Sequence, residues 1–196
     1  MDSCLHSGLK WLMRSGIQHD TGAVFAEYEA LTTSYTRVST EAAAWSIQAV
    51  LGLGDPPDQE RRDVAIAAGR YMMERSFDMQ SDLFVDDPTA ENRQASFGGC
   101  ASALRALSIL GRTTGDTAYA ECANRCARSI LVRMTRVDGS FFTHFESGPQ
   151  RAVGDDGGPE QLKAVAAFIE LADDQGIAEL RTAAERLLEF SLQRHE

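Results

Sequence analysis

Apolar positions along the chain recur every three to four residues rather than every two, so the pattern predicts helices and no long strand. Seven stretches carry it: Ser3–Ser15, Thr40–Leu51, Asp58–Phe77, Gly99–Leu110, Thr117–Thr135, Pro159–Ala172 and Ile177–Arg194. Ser39 and Asp116 stand where N-caps belong, and Pro56, Pro57 and Pro159 stand at helix starts. The stretches fall into two classes. The fifth and seventh carry one apolar stripe, such as Tyr119, Cys122, Ala123, Cys126, Ala127 and Ile130, and are polar elsewhere. The second, fourth and sixth contain AAAWSIQAVLGL, ASALRALSIL and AVAAFIELA, apolar nearly all round. Such helices need cover on most sides, so Trp45, Leu107 and Phe168 are expected in a buried inner layer, with the odd-numbered helices outside it.

The order outer, inner repeats with a period near 58 residues. Phe25, Phe84 and Phe142 follow similar turns after the first, third and fifth helices, spaced by 59 and 58 residues. Each turn leads into a link of about 15 residues before the next inner helix. The inner helices therefore run parallel, and their N-termini gather at one end, near Glu41, Gly99 and Pro159. Unpaired N–H groups and positive dipole ends collect there.

These residues resemble a known family. The segment Lys10-Trp11-Leu12 with Gln18-His19-Asp20-Thr21-Gly22-Ala23-Val24 is similar to the repeat of prenyltransferase- and terpene-cyclase-type toroids, with Val24 where tryptophan is usual. The run Thr114-Gly115-Asp116, Tyr119, Ala123, Ala127, Asp138-Gly139-Ser140 resembles a phrasing common in bacterial toroids, a group that includes the related six-hairpin sugar enzymes and is often associated with carbohydrate metabolism. The resemblance implies an all-α, α/α toroid-like array over residues 1–196 as a single, partial toroid domain, in a bacterial protein tied to carbohydrate metabolism. The sequence departs from the family in places. It has three and a half hairpins instead of six, no DxDD acid motif and no placeable zinc-ligand set. Phe97-Gly98-Gly99-Cys100 stands where an aspartate and a glutamine are expected.

The 196 residues carry 29 acids against 19 Lys plus Arg, a net charge of −10, which argues against nucleic acid and anionic membrane surfaces as partners. No stretch reaches the length of a membrane span, and the N-terminus lacks a secretion signal. Cys4, Cys100, Cys122 and Cys126 form no CxxC pair and read as free thiols, so a cytoplasmic location is expected. No P-loop, dinucleotide fingerprint, nucleophile elbow or HExxH motif is present, and no cofactor or metal is expected. Asp86-Asp87 and Asp155-Asp156 are acids of equivalent links, read as solvated or as oxygen ligands for a divalent cation.

The candidate catalytic residues are Glu41, Asp20 and His144. Glu41 opens a buried helix, where a carboxylate serves as acid or base, or caps the helix. Asp20, with His19, lies in the first turn near Glu27 and Glu29, as half of a carboxylate pair or as a turn acid. His144 lies among Phe141, Phe142 and Phe145 beside Glu146, as a base or as a packed imidazole. The candidate binding residues are Arg37, Arg93 and Arg151, one in each link, and the aromatic residues Tyr28, Tyr35, Phe84 and Phe142, suited to stacking on sugar rings. Together with these residues, the resemblance implies a sugar or sugar-acid ligand, processed if at all by a hydrolase, lyase or epimerase working through acid–base chemistry. The competing readings are a terpenoid- or prenyl-handling funnel and a non-catalytic helical scaffold. Since seven helices leave a ring open, a homodimer or a toroid-completing partner chain is also expected.

Overall fold

A computed structural model describes residues 2–29, 34–52, 56–154 and 160–193. It contains α1 (Asp2–Trp11), α2 (Thr40–Gly52), α3 (Gln59–Tyr71), α4 (Phe97–Thr114), α5 (Thr117–Arg133), α6 (Glu160–Gln175) and α7 (Ala178–Gln193). Asp58, Ser96 and Asp116 cap α3, α4 and α5 through side-chain oxygens that accept backbone N–H groups. Gly115 closes α4 with φ +74°. Among the described residues no helix is long and apolar enough to cross a membrane.

The helices alternate between two layers. Helices α2, α4 and α6 lie side by side, with α4 in the middle, and α3, α5 and α7 pack outside them. Ile47, Val50, Leu104, Leu107, Phe168 and Leu171 fill the interface with Ala68, Ala123, Ile130 and Leu187. Phe97, Phe141 and Phe168 form an aromatic knot: the first two stack at 4.6 Å, and Phe168 meets both edge-on, at 6.5 and 5.9 Å.

The repeat is built into the turns as well as the helices. Helices α1 and α3 each end in a five-residue π-helical stretch, Leu12–Gly16 and Met72–Ser76. A bridge follows in each unit: Ile17 with Val24, Phe77 with Phe84, Thr135 with Phe141. Each turn also holds one left-handed residue, namely Gly22 (φ 77°), Asp82 (φ 57°) and Gly139 (φ 85°). The structural equivalents are therefore Val24, Phe84 and Phe141, all fully buried. This corrects the phase read from Phe25, Phe84 and Phe142. Neighbouring residues of an extended chain point to opposite sides, so a one-residue offset exchanges core for surface, and Phe25 and Phe142 are only half-buried.

The long links are not structureless. β1 (Phe25–Glu29) pairs antiparallel with β2 (Ser34–Val38), and β3 (Phe77–Asp78) with β4 (Leu83–Phe84). β5 (Gln94–Ser96), β6 (His144–Glu146) and β7 (Arg151–Val153) form one sheet that ties the second link to the third. These strands have two to five residues, too few to show an alternation.

Candidate functional site

The inner helices are not apolar all round, which corrects the expectation for Trp45. Leu107 and Phe168 are fully buried, but Trp45 is 49% exposed. The reason is a thin polar stripe on each inner helix, at helical spacing: Glu41, Trp45 and Gln48 on α2; Ser102, Arg105 and Arg112 on α4; Lys163, Glu170 and Asp174 on α6. The three stripes share the face of the inner layer that the outer helices leave open. They bond across it. Arg105 Nε donates to Glu170 Oε1 at 3.2 Å, Arg112 pairs with Asp174, and Gln48 Nε2 donates to the Ser102 carbonyl at 3.3 Å.

At the N-terminal end of this face all three helices converge on one atom. Glu41 Oε1 accepts from Trp45 Nε1 (3.3 Å), Ser102 Oγ (3.5 Å) and Lys163 Nζ (3.2 Å). Between α2 and α6 these contacts cross the first turns of α4, where Gly98-Gly99-Cys100-Ala101-Ser102-Ala103 carry only small side chains, all buried; we call this low stretch beneath the Glu41 cluster the trough. Asp86 stands at the head of that trough. Its Oδ1 accepts from Ser96 N (3.0 Å) and Ser96 Oγ (2.5 Å), and a Cβ on Gly99 would lie 2.9 Å from it. Burial is the largest influence on Asp86 and raises its pKa; the Ser96 hydrogen bonds and nearby His144 pull it down, nearby Glu41 pushes it up, and the net shift is upward. The Asp86 backbone also fixes the start of α2, because Thr40 N donates to its carbonyl at 3.0 Å.

His144 reaches this neighbourhood through the sheet, where it pairs with Ser96. Its ring Nδ1 lies 3.1 Å from Thr143 Oγ1. Glu41 and His144 thus come together around Asp86. Asp20 does not join them by a hydrogen bond or an ion pair. It is exposed on the first turn, in an open cleft of about 550 Å³ with Arg14, His19 and Phe25. Gly22 seats that turn against the backbone of Ala67 on α3.

The arginines are spread out. Arg151 is exposed and forks onto Glu146 Oε2 at 3.2 and 2.7 Å. Arg93 donates to the Arg75 carbonyl at 3.0 Å. Arg37 is exposed on β2. Phe84 lies fully buried against Phe77 at 5.0 Å, so its ring has no face for a ligand. Phe142 is half-buried, with the Arg136 guanidinium 5.1 Å over it. Tyr28 and Tyr35 are partners in the β1–β2 register, and their side chains lie outside the described residues. Asp155 and Asp156 lie outside them as well. Among the described residues no cluster of three or more metal-binding side chains occurs.

Sequence reasoning missed Trp45, Ser102, Lys163 and the role of Asp86. The signal was present for the first three: polar or amphipathic residues recur at positions 41, 45 and 48, again at 102 and 105, and again at 163 and 170, in or beside otherwise apolar runs. Asp86 carried none, because its place depends on β5.

No family model and no curated protein sequence matches the chain. Solved structures do. Cellobiose 2-epimerase from Bacillus thermoamylovorans B4167 superposes with a TM-score of 0.73 at 15% identity, over 98% of this chain and 54% of that one. The fold is that of the α/α toroids. Unsaturated glucuronyl hydrolase from Bacillus sp. GL1 superposes with a TM-score of 0.64 at 20% identity, over 97% of this chain and 49% of that one. A D-mannose isomerase gives 0.68 at 14%, over 95% and 51%. The chain spans about half the length of the solved toroids it matches.

Proposed function

We propose that the trough at the N-terminal end of α2, α4 and α6 binds a sugar and transforms it by acid–base chemistry. The observation that carries this reading is the convergence of donors from all three inner helices on Glu41 Oε1. In this reading Glu41, Asp86 and His144 move protons, and the exposed Trp45 ring offers a platform for a pyranose. Asp20 serves as the acid of the neighbouring cleft. Supporting it, the similar folds named above are an epimerase of cellobiose, an isomerase of mannose and a hydrolase of glucuronyl compounds. An ion-paired floor of Arg105, Glu170, Arg112 and Asp174 suits a hydroxylated ligand better than a prenyl chain. A second copy, or a toroid-completing chain, against the open edges of the half-length array belongs to the same proposal; light scattering across a concentration series checks it, and a strictly monomeric particle counts against it.

The test is product analysis after incubation with cellobiose, mannose and unsaturated glucuronyl disaccharides, for the wild-type chain and for Glu41→Gln, Asp86→Asn and Asp20→Asn. Turnover that falls at least about a hundredfold in Glu41→Gln supports the assignment. Turnover unchanged in both Glu41→Gln and Asp86→Asn removes it.

A further inference from the structure

The electrostatics of the trough bear on which sugars it takes. Among the described residues, two carboxylates, Glu41 and Asp86, meet here with one ammonium, Lys163, which is already paired with Glu41 at 3.2 Å, and with the His144 imidazole close to Asp86. A ligand carboxylate entering here meets a cation that is already paired and the Asp86 carboxylate, whose charged or titratable neighbours are Glu41 and the His144 imidazole. The arginines that would recognise an acid sugar are committed elsewhere: Arg93 to the Arg75 carbonyl, Arg151 to Glu146, and Arg105 and Arg112 to Glu170 and Asp174, while Arg37 on β2 also has a partner of its own. Trp45 adds a ring face, whose negative quadrupole offers a ligand carboxylate no attraction.

We infer that the trough selects neutral pyranosides and discriminates against uronic-acid sugars. This rests on the sugar-binding reading above and narrows it to one substrate class. Discrimination comes from leaving a ligand carboxylate without a counter-charge, since an unpaired charge in a partly desolvated site is costly. The whole chain, at −10, adds a long-range repulsion that salt screens.

The experiment is isothermal titration of the intact chain with cellobiose and with cellobiouronic acid, at low and at high salt. Binding of the uronate should be about tenfold weaker than that of cellobiose at low salt, with the gap narrowing at high salt. Glu41→Gln releases Lys163 from its partner and should shift the ratio toward the uronate. Uronate binding equal to or tighter than that of cellobiose in the wild type overturns the inference and leaves the sugar-binding reading in place. Binding of neither sugar overturns both.

Discussion

Two aromatic residues of the inner layer, Trp45 and Phe168, look alike in the sequence and should respond oppositely to truncation. Phe168 is fully buried and meets Phe97 and Phe141 edge-on. Phe168→Ala removes a ring from a packed interior and leaves a cavity among groups anchored on α4 and on the third turn. Such changes cost about 3–5 kcal/mol. For a chain of this size each kcal/mol lowers Tm by roughly 2–4 °C, so the expected loss is on the order of 6–20 °C. Phe168→Leu keeps part of the volume and gives a measurable intermediate if the alanine variant fails to fold. Trp45 is 49% exposed, and among the described residues its polar contact is the 3.3 Å bond to Glu41. Trp45→Ala should cost about 1 kcal/mol, under ~4 °C, while weakening sugar binding. Thermal and urea unfolding followed by circular dichroism read both. A Trp45→Ala loss as large as that of Phe168→Ala would mean that the open face is covered, and a Phe168→Ala loss below ~1 kcal/mol would refute the concentric core.

Three other outcomes follow from the geometry. Gly22→Ala places a Cβ 2.1 Å from the Ala67 carbonyl oxygen at φ +77°, whereas Gly115→Ala at φ +74° meets open space, so the first should lose at least ~2 kcal/mol and the second about 1, as read by urea midpoints; equal losses would deny the packing of the turn on α3. Asp86→Asn retains an oxygen to accept from Ser96 but removes a charge whose pKa is raised by folding. The native state holds that proton more tightly than the unfolded chain, so wild-type stability falls as pH rises from 3.8 through the folded value. The asparagine variant should gain in relative Tm over that window, and a difference flat from pH 3 to 7 would sink the argument. Burial pushes the Cys122 thiol up to about 12 and that of Cys126 well above its ordinary value, and Cys100 is buried too, so a Cys4→Ser chain should expose no reactive thiol when native and three when unfolded.

The helices and their two-layer order were legible because each layer writes its burial into a 3.6-residue period. Helix ends were less so: α3 gives way at Tyr71 to the π-helical stretch Met72–Ser76, where the apolar spacing read as more helix up to Phe77. The strands were hidden, since two to five residues paired through the backbone leave almost no side-chain pattern. Trp45 was misplaced for a different reason. Hydropathy reports what a residue tolerates, and a single exposed tryptophan in an apolar run reads as core until its neighbours Glu41 and Gln48 are placed on the same face. Asp86 looked like one of two adjacent loop acids. Only the hydrogen bond from its N–H to the Gln94 carbonyl, which sets β5 beside it, turns its carboxylate toward Ser96 and the head of α4.

The trough exists because of what α4 lacks, and Gly99 is where that can be tested. A Cβ there would lie 2.7 Å from Ser96 Oγ and 2.9 Å from Asp86 Oδ1, closer than real contacts allow, so either the cap or the carboxylate must move. Alanine brings up to about 1 kcal/mol of helix propensity, and weakening the Ser96 cap removes about 0.5–2 kcal/mol. The two nearly cancel, so Gly99→Ala should change stability by no more than about 1 kcal/mol. The site does not share in that cancellation. With Asp86 displaced from Ser96 and from the opening of the trough, sugar affinity should fall while the fold stays intact. The pH-dependent part of the melting temperature that Asp86 contributes should shrink with it. A Gly99→Ala chain that keeps both its sugar affinity and its pH profile would show that Asp86 plays no part in the site, and that the small residues opening α4 serve packing alone.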